Sequence, residues 1–173
     1  ADEIPESTCW KLKYENDDQF TQKISNISSS QDLESVEIVT SIYEMFHAEE
    51  LLKAIASTNI DHLIFARCPW KPETVEFTIQ ALESTNVREL TFSRADIDEE
   101  IVFNIIKLLP EQIHTLNFRG VGETDDNDIL QTLITGIFKT NLRKLSISGF
   151  NFKSEILDDL CKTLPPTLTE LSF

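Results

Sequence analysis

The chain has 173 residues, of which 40% are hydrophobic and 26% are charged, a composition typical of one globular domain and not of a disordered segment. Its 15 basic and 30 acidic residues give a net charge of −15, which disfavours nucleic-acid binding and attraction to anionic membranes. No apolar run approaches the ~20 residues of a membrane span, and three distant cysteines favour reduced thiols in the cytoplasm over a secreted disulfide framework.

Residues 1–32 are interpreted as a divergent N-terminal cap or as a first repeat. Within them, CWKLKY (9–14) is predicted to form a degenerate strand. DQFTQKISNI (18–27) is predicted to form a capping helix. We expect this region to close one end of the domain formed by the residues that follow.

Six later segments share one pattern. They read LESVEI (33–38), IDHLIF (60–65), VRELTF (87–92), IHTLNF (113–118), LRKLSI (142–147) and LTELSF (168–173). Their starts are 27, 27, 26, 29 and 26 residues apart, and the first, fourth and sixth places are apolar in all six. Because places four and six alternate with polar residues, each segment is predicted to be a strand with one buried face.

Helical spacing follows each complete strand. Ile101, Ile105 and Leu108 are one example of apolar residues three or four positions apart, the pattern of an amphipathic helix. A single strand–turn–helix unit cannot bury its own apolar face, whereas stacked units bury a continuous core. Residues 33–173 are therefore predicted to form a repeat solenoid, which gives one domain overall.

The repeat resembles the leucine-rich-repeat family, whose pattern is LxxLxL followed by Asn or Cys at place nine, and is most similar to the ribonuclease-inhibitor type. The resemblance implies an α/β solenoid with a curved parallel sheet on the concave side and helices on the convex side. Only Cys68 fits the family at place nine. The longest unit departs most, which indicates an insertion near GVGETDDND (120–128).

The sequence shows no catalytic or metal-binding motif. His47, His62, His114 and the cysteines lack CxxC or HExxH spacing, so solvated histidines and buried free cysteines are the favoured interpretation. ETDDND (123–128) lacks the glycine and the later glutamate of a calcium loop. Neither a GxSxG elbow nor a phosphate-binding glycine loop occurs. We therefore predict no enzyme activity, no cofactor and no metal.

The concave face is the predicted binding surface. Places three, five and seven point away from the core and place eight lies at the strand's end. Most side chains in these columns are small or neutral, so an open floor is expected. The candidate partner-binding residues are His62, Ile64, Arg67, Glu89, Thr91, Arg94, Asn117, Arg119 and Lys144.

Three of these candidates, Arg67, Arg94 and Arg119, fall on consecutive units. Adjacent strands are about 4.8 Å apart, so the three guanidinium groups could form one patch. Two interpretations stay open. The charges could pair locally with Glu89, Asp96 or the acidic helix starts, or they could recognise an acidic segment of a partner protein.

The resemblance implies a non-enzymatic module that binds another protein on the concave face. The degenerate repeats and acidic balance are also similar to leucine-rich-repeat effectors that bacteria deliver into the host cytosol, where this chain would act as a virulence factor on a host protein. The alternatives are the substrate-recognition arm of a larger enzyme, such as a ubiquitin ligase, and a protein inhibitor of an enzyme. Fold alone does not decide between them, and the pattern makes no prediction of oligomeric state.

Overall fold

The computed structural model describes residues 8–30, 32–94, 97–120, 126–149 and 153–173. Strands and α-helices alternate along these residues, and the short 3-10 helices Leu82–Ser84 and Ile137–Lys139 follow two of the α-helices. The strands are β1 Cys9–Lys13, β2 Ser35–Val39, β3 His62–Ala66, β4 Glu89–Ser93, β5 Thr115–Arg119, β6 Lys144–Ser148 and β7 Glu170–Ser172. The helices are α1 Asp17–Ile27, α2 Met45–Ala56, α3 Pro72–Ala81, α4 Glu99–Leu108, α5 Asp126–Gly136 and α6 Ser154–Lys162.

All seven strands form one parallel sheet in the order β1-β2-β3-β4-β5-β6-β7. From β2 to β7, paired residues are 27, 27, 26, 29 and 26 positions apart in sequence, the same spacings as the sequence repeat. Crossovers between parallel neighbours are right-handed, so every helix packs on the same face of the sheet. We call the opposite side the helix-free face. The predicted α/β repeat architecture is confirmed.

The core lies between the sheet and the helices. Places one, four and six of the five complete units are all buried there, as Leu63 and Phe65 are in β3. Place six forms an aromatic row, in which the ring of Phe92 stacks on Phe65 at 6.1 Å and on Phe118 at 5.6 Å. Such pairs stabilise by about 0.5–1.5 kcal/mol beyond their area. The aromatic row therefore joins β3, β4 and β5 into one rigid block.

The turn after β3 is part of the same core. Cys68 is fully buried, and Trp70 lies with its ring 4.8 Å from that of Phe65. Cys68 and Trp70 therefore act as scaffold. At place nine of other units, Ala95, Val121 and Phe150 lie outside the described residues, as do residues 123–125 of the ETDDND segment.

Threonines end several units in the same way. The hydroxyls of Thr58, Thr85 and Thr140 each donate to the carbonyl three residues earlier at 2.7 Å. Each threonine stands two positions before place one of the next unit. Each of these carbonyls also accepts the backbone amide of the same threonine at 3.0 or 3.1 Å. The threonine therefore closes the helix end through both its amide and its hydroxyl, and the return loops repeat as regularly as the strands do.

Within the described ranges, every helix is too short or too polar to cross a lipid bilayer.

Candidate functional site

The structure places all nine candidate residues on or directly after adjacent strands β3 to β6. His62, Glu89 and Lys144 belong to one row that runs across the sheet through paired residues. Ile64, Thr91 and Asn117 form the next row. Arg119 ends β5, and Arg67 and Arg94 directly follow β3 and β4. The parallel register therefore brings the candidates onto one surface, the helix-free face.

A polar network covers the centre of this face. The Nε2 atom of His62 lies 2.8 Å from Thr91 Oγ1 and 3.0 Å from Glu89 Oε2. Asn117 Nδ2 donates to the same Thr91 hydroxyl at 2.9 Å. Thr91 is 0% exposed and Asn117 is 8% exposed, so the open floor expected from small side chains is absent here. Thr91 holds its neighbours in position and has no surface of its own to offer a partner.

Burial determines the charge of the histidine in this network. Removal from water lowers the pKa of His62, an effect that Glu89 opposes and Arg119 reinforces. The imidazole is therefore predominantly neutral at pH 7, and the network adds no positive charge of its own to the face.

Beside the network, a groove of about 680 Å³ opens at the carboxyl ends of the strands. Its floor contains Val39, Ala66 and Ser93. Five cationic side chains and one carboxylate line it, namely Lys11, Lys13, Arg67, Arg94, Arg119 and Glu37. We call this surface the basic groove. It is a local reversal of sign on a chain whose net charge is −15.

Sequence reasoning missed the two lysines of β1. The segment CWKLKY is predicted to be a strand, but its exposed residues are not among the predicted binding columns. The register pairs Lys11 with Glu37 and Lys13 with Val39, which extends the binding columns by one strand. Alternation of Lys11, Leu12 and Lys13 was the signal that could have identified them.

Inside the groove, the positive charges have little compensation. Lys11 Nζ reaches Glu37 Oε2 only at 4.0 Å. Among the described residues, Arg67, Arg94 and Arg119 have no side-chain hydrogen bond or ion pair. Glu89, a predicted local partner for them, contacts His62 instead. Asp96, the other predicted partner, lies outside the described residues.

The backbone at place eight adopts a left-handed conformation in four consecutive units. The φ angles are 58° at Arg67, 50° at Arg94, 57° at Gly120 and 79° at Gly149. The amide of Arg94 donates to the carbonyl of Arg119 at 2.9 Å, and this bond extends the sheet ladder into the turn. An L-residue with a side chain costs about 1–2 kcal/mol in this region, whereas glycine is free of that cost. The two arginines therefore occupy strained positions that glycine fills in the next two units.

No group of three or more potential metal ligands exists in the part of the chain that the structure describes. Burial raises the pKa of the Cys68 thiol, so this thiol stays protonated and is a poor nucleophile. The other two cysteines differ from the sequence interpretation. Cys9 and Cys161 are exposed rather than buried.

His47 is buried rather than solvated. It is 1% exposed, its Nδ1 accepts the Glu44 amide at 3.0 Å, and its Nε2 lies 2.9 Å from Asp17 Oδ1. The histidine thereby links the start of α2 to the start of α1, which is a structural role.

No family model and no curated protein matches the sequence. Among solved structures, the fold is similar to leiomodin-1 actin-binding site 2 (ABS2), part of a protein that contains leucine-rich repeats. The TM-score is 0.60 at 10% sequence identity, over 83% of this chain and 84% of that one. Together with the repeating register of seven parallel strands, this similarity shows that the chain has an α/β fold of the leucine-rich-repeat solenoid type.

Proposed function

We propose that this chain is a protein-interaction module that binds another protein through its helix-free face. The observation that carries the proposal is the basic groove, in which five cationic side chains meet on an acidic chain around a single carboxylate. Charged side chains that a fold does not pair internally are available to a partner, where they give specificity and speed association.

Rigidity of the surface supports the same proposal. The strands behind the groove are joined by the buried aromatic row, and the floor beside it is held by hydrogen bonds among His62, Thr91 and Asn117. A preorganised face loses little conformational entropy when it binds. The similar solved structure is that of an actin-binding site. What we carry over to this chain is only that such a scaffold can bind a protein.

The test compares how well the wild type and variants altered on different faces capture a partner protein. Ile64 and Lys144 lie on the helix-free face outside the basic groove, and Glu76 is exposed on α3. We expect a protein captured from a cell lysate by the wild type and by Glu76→Lys to be lost by Ile64→Glu/Lys144→Glu. Equal capture by all three proteins, and by a variant that removes Arg67, Arg94 and Arg119 from the basic groove, would refute binding through the helix-free face.

The finer hypotheses concern what binding achieves. A bacterial effector acting on a host protein, the recognition arm of a ubiquitin ligase and an enzyme inhibitor all use such a face, and each derives from the sequence resemblance alone. An activity assay on the captured partner, with and without this chain, separates the inhibitor from the other two.

A further inference from the structure

We infer that the basic groove takes an extended acidic segment of the partner, about six residues long and rich in Asp or Glu. This inference depends on the proposed function, since it names the chemistry that the same face recognises. Charge, backbone conformation and strand register each support it separately.

Among the described residues, the positive charges of the groove outnumber their negative counterparts. Five cationic groups face one carboxylate in this cavity, and the only ion pair among them is the 4.0 Å contact of Lys11 with Glu37. Like charges at this spacing repel each other, less strongly where water reaches them. Carboxylates from a partner would remove the repulsion and accept hydrogen bonds from the guanidinium groups.

Backbone conformation points in the same direction. Arg67 and Arg94 stand at left-handed positions where Gly120 and Gly149 stand in later units. The side chains of the two arginines form no hydrogen bond or ion pair with any described residue. Their amides do bond within the sheet, to the carbonyls of Ser93 and Arg119 at 2.9 Å, but these bonds do not require an arginine side chain. Backbone strain of this kind clusters at binding sites.

Strand register sets the length of the ligand. The row at place seven runs Lys13, Val39, Ala66, Ser93 and Arg119 across five adjacent strands. Four strand steps of about 4.8 Å span roughly 19 Å, which an extended chain covers in about six residues at 3.3–3.4 Å each. The middle of the row is small, so a backbone can approach it closely, while cations stand at both ends.

The remaining two arginines complete this arrangement. Arg67 and Arg94 follow directly after the small residues Ala66 and Ser93, at the place next to the row. A segment lying along the row would therefore meet positive charge at both ends and along one side. Carboxylates on successive residues of an extended chain alternate in direction, so every second acidic residue would face the arginines.

A short polypeptide fits better than a nucleic acid. Nucleic-acid binding uses basic surface that follows many phosphates. Here five of the chain's 15 basic residues line one groove, while the chain as a whole has 30 acidic residues. A polyanion longer than the groove would therefore gain little from the rest of the chain.

The probe is a fluorescein-labelled peptide with about six consecutive glutamates, and its control has glutamine in their place. Binding is followed by fluorescence anisotropy at about 50 mM and about 200 mM NaCl. The test variant is Arg67→Gly/Arg94→Gly/Arg119→Gln. Glycine suits the two left-handed positions, so this variant keeps the fold, and circular dichroism checks that it does.

The matched control removes the same number of charges elsewhere. It is Arg88→Gln/Arg143→Gln/Lys162→Gln, three exposed positions outside the groove. We expect the wild type to bind the glutamate peptide, more weakly at the higher salt concentration, and not the glutamine peptide. The groove variant should lose at least about tenfold in affinity, as removal of charge-assisted bonds implies. The control should stay within about twofold.

In the binding assay, any one of three results would overturn the inference. The glutamate peptide could fail to bind, the two triple variants could lose affinity equally, or a short single-stranded DNA could bind more tightly than the peptide. If a captured partner is lost by Ile64→Glu/Lys144→Glu but retained by the groove variant, this inference fails while the proposed function stands. If neither variant loses the partner, both fail.

Discussion

Replacing Arg94 by glycine should raise the stability of the protein and at the same time weaken the binding of an acidic peptide to the basic groove. Arg94 has a φ of 50°, and Gly120 occupies the equivalent place of the next unit with a φ of 57°. Its amide bond to the Arg119 carbonyl involves only backbone atoms and is kept in the variant. The Arg94 side chain pairs with no described residue, so its removal leaves no described group unpaired.

The size of the gain follows from two opposing effects. Relief of the left-handed strain stabilises by about 1–2 kcal/mol, while the extra backbone freedom of glycine in the unfolded chain costs about 0.5–1 kcal/mol. The net gain therefore lies between about 0 and 1.5 kcal/mol, with a midpoint of about 0.75 kcal/mol, which corresponds to about 1.5–3 °C in Tm for a chain of this size. Differential scanning calorimetry measures it, with urea unfolding as a second readout.

Arg88→Gly is the matched control, since Arg88 is exposed, outside the groove and without a positive φ. The same exchange there has only the entropic effect and should destabilise by about 0.5–1 kcal/mol. A fall in Tm for Arg94→Gly equal to that of Arg88→Gly would refute the strain argument. A variant more stable than the wild type that also binds the acidic peptide unchanged would show that Arg94 has no share in recognition.

Three further substitutions test the core, the network and the helix packing. Phe92→Ala should cost about 3–5 kcal/mol in urea unfolding, because its fully buried ring stacks on both neighbouring strands; a loss below about 1 kcal/mol would contradict the aromatic row. Burial lowers the pKa of His62 below its usual 6.5, so as the pH falls this histidine is protonated in the unfolded chain before it is protonated in the folded chain. The free energy of unfolding therefore decreases as the pH drops below about 6.5. His62→Gln should reduce that pH dependence, and an unchanged slope between about pH 7.5 and about pH 5.5 would exclude His62 as its source. Gly136→Ala should lower Tm despite the better helix propensity of alanine, since its Cβ would lie 2.8 Å from Ile106 Cγ2; a rise in Tm would show that α4 and α5 separate easily.

Much of the fold could be predicted because strand alternation reports directly on which side chains are buried. Val36 and Ile38, for example, identify the buried face of β2 without any knowledge of the strands beside it. The spacing between segments then sets the register, because each unit stacks on the previous one. These are local or periodic properties, which a single sequence displays.

The site was less predictable because it depends on side chains meeting across strands. Whether Thr91 is exposed depends on how His62, Glu89 and Asn117 lie over it, which alternation does not reveal. The left-handed backbone of Arg94 left a trace only in the glycine at the equivalent place of the next unit. Lys13 lies in the groove because β1 pairs with β2. The degenerate repeat pattern of CWKLKY barely indicates this pairing.

The consecutive strand order means that position along the groove equals position along the chain. Each strand touches only the strands before and after it in sequence. A substitution on one strand therefore changes the contacts that a ligand makes with that strand, over about 4.8 Å of the groove. The contacts with the other strands stay the same. In such a molecule a new ligand specificity can be acquired by one substitution at a time. A pocket assembled from distant loops would require several coordinated substitutions.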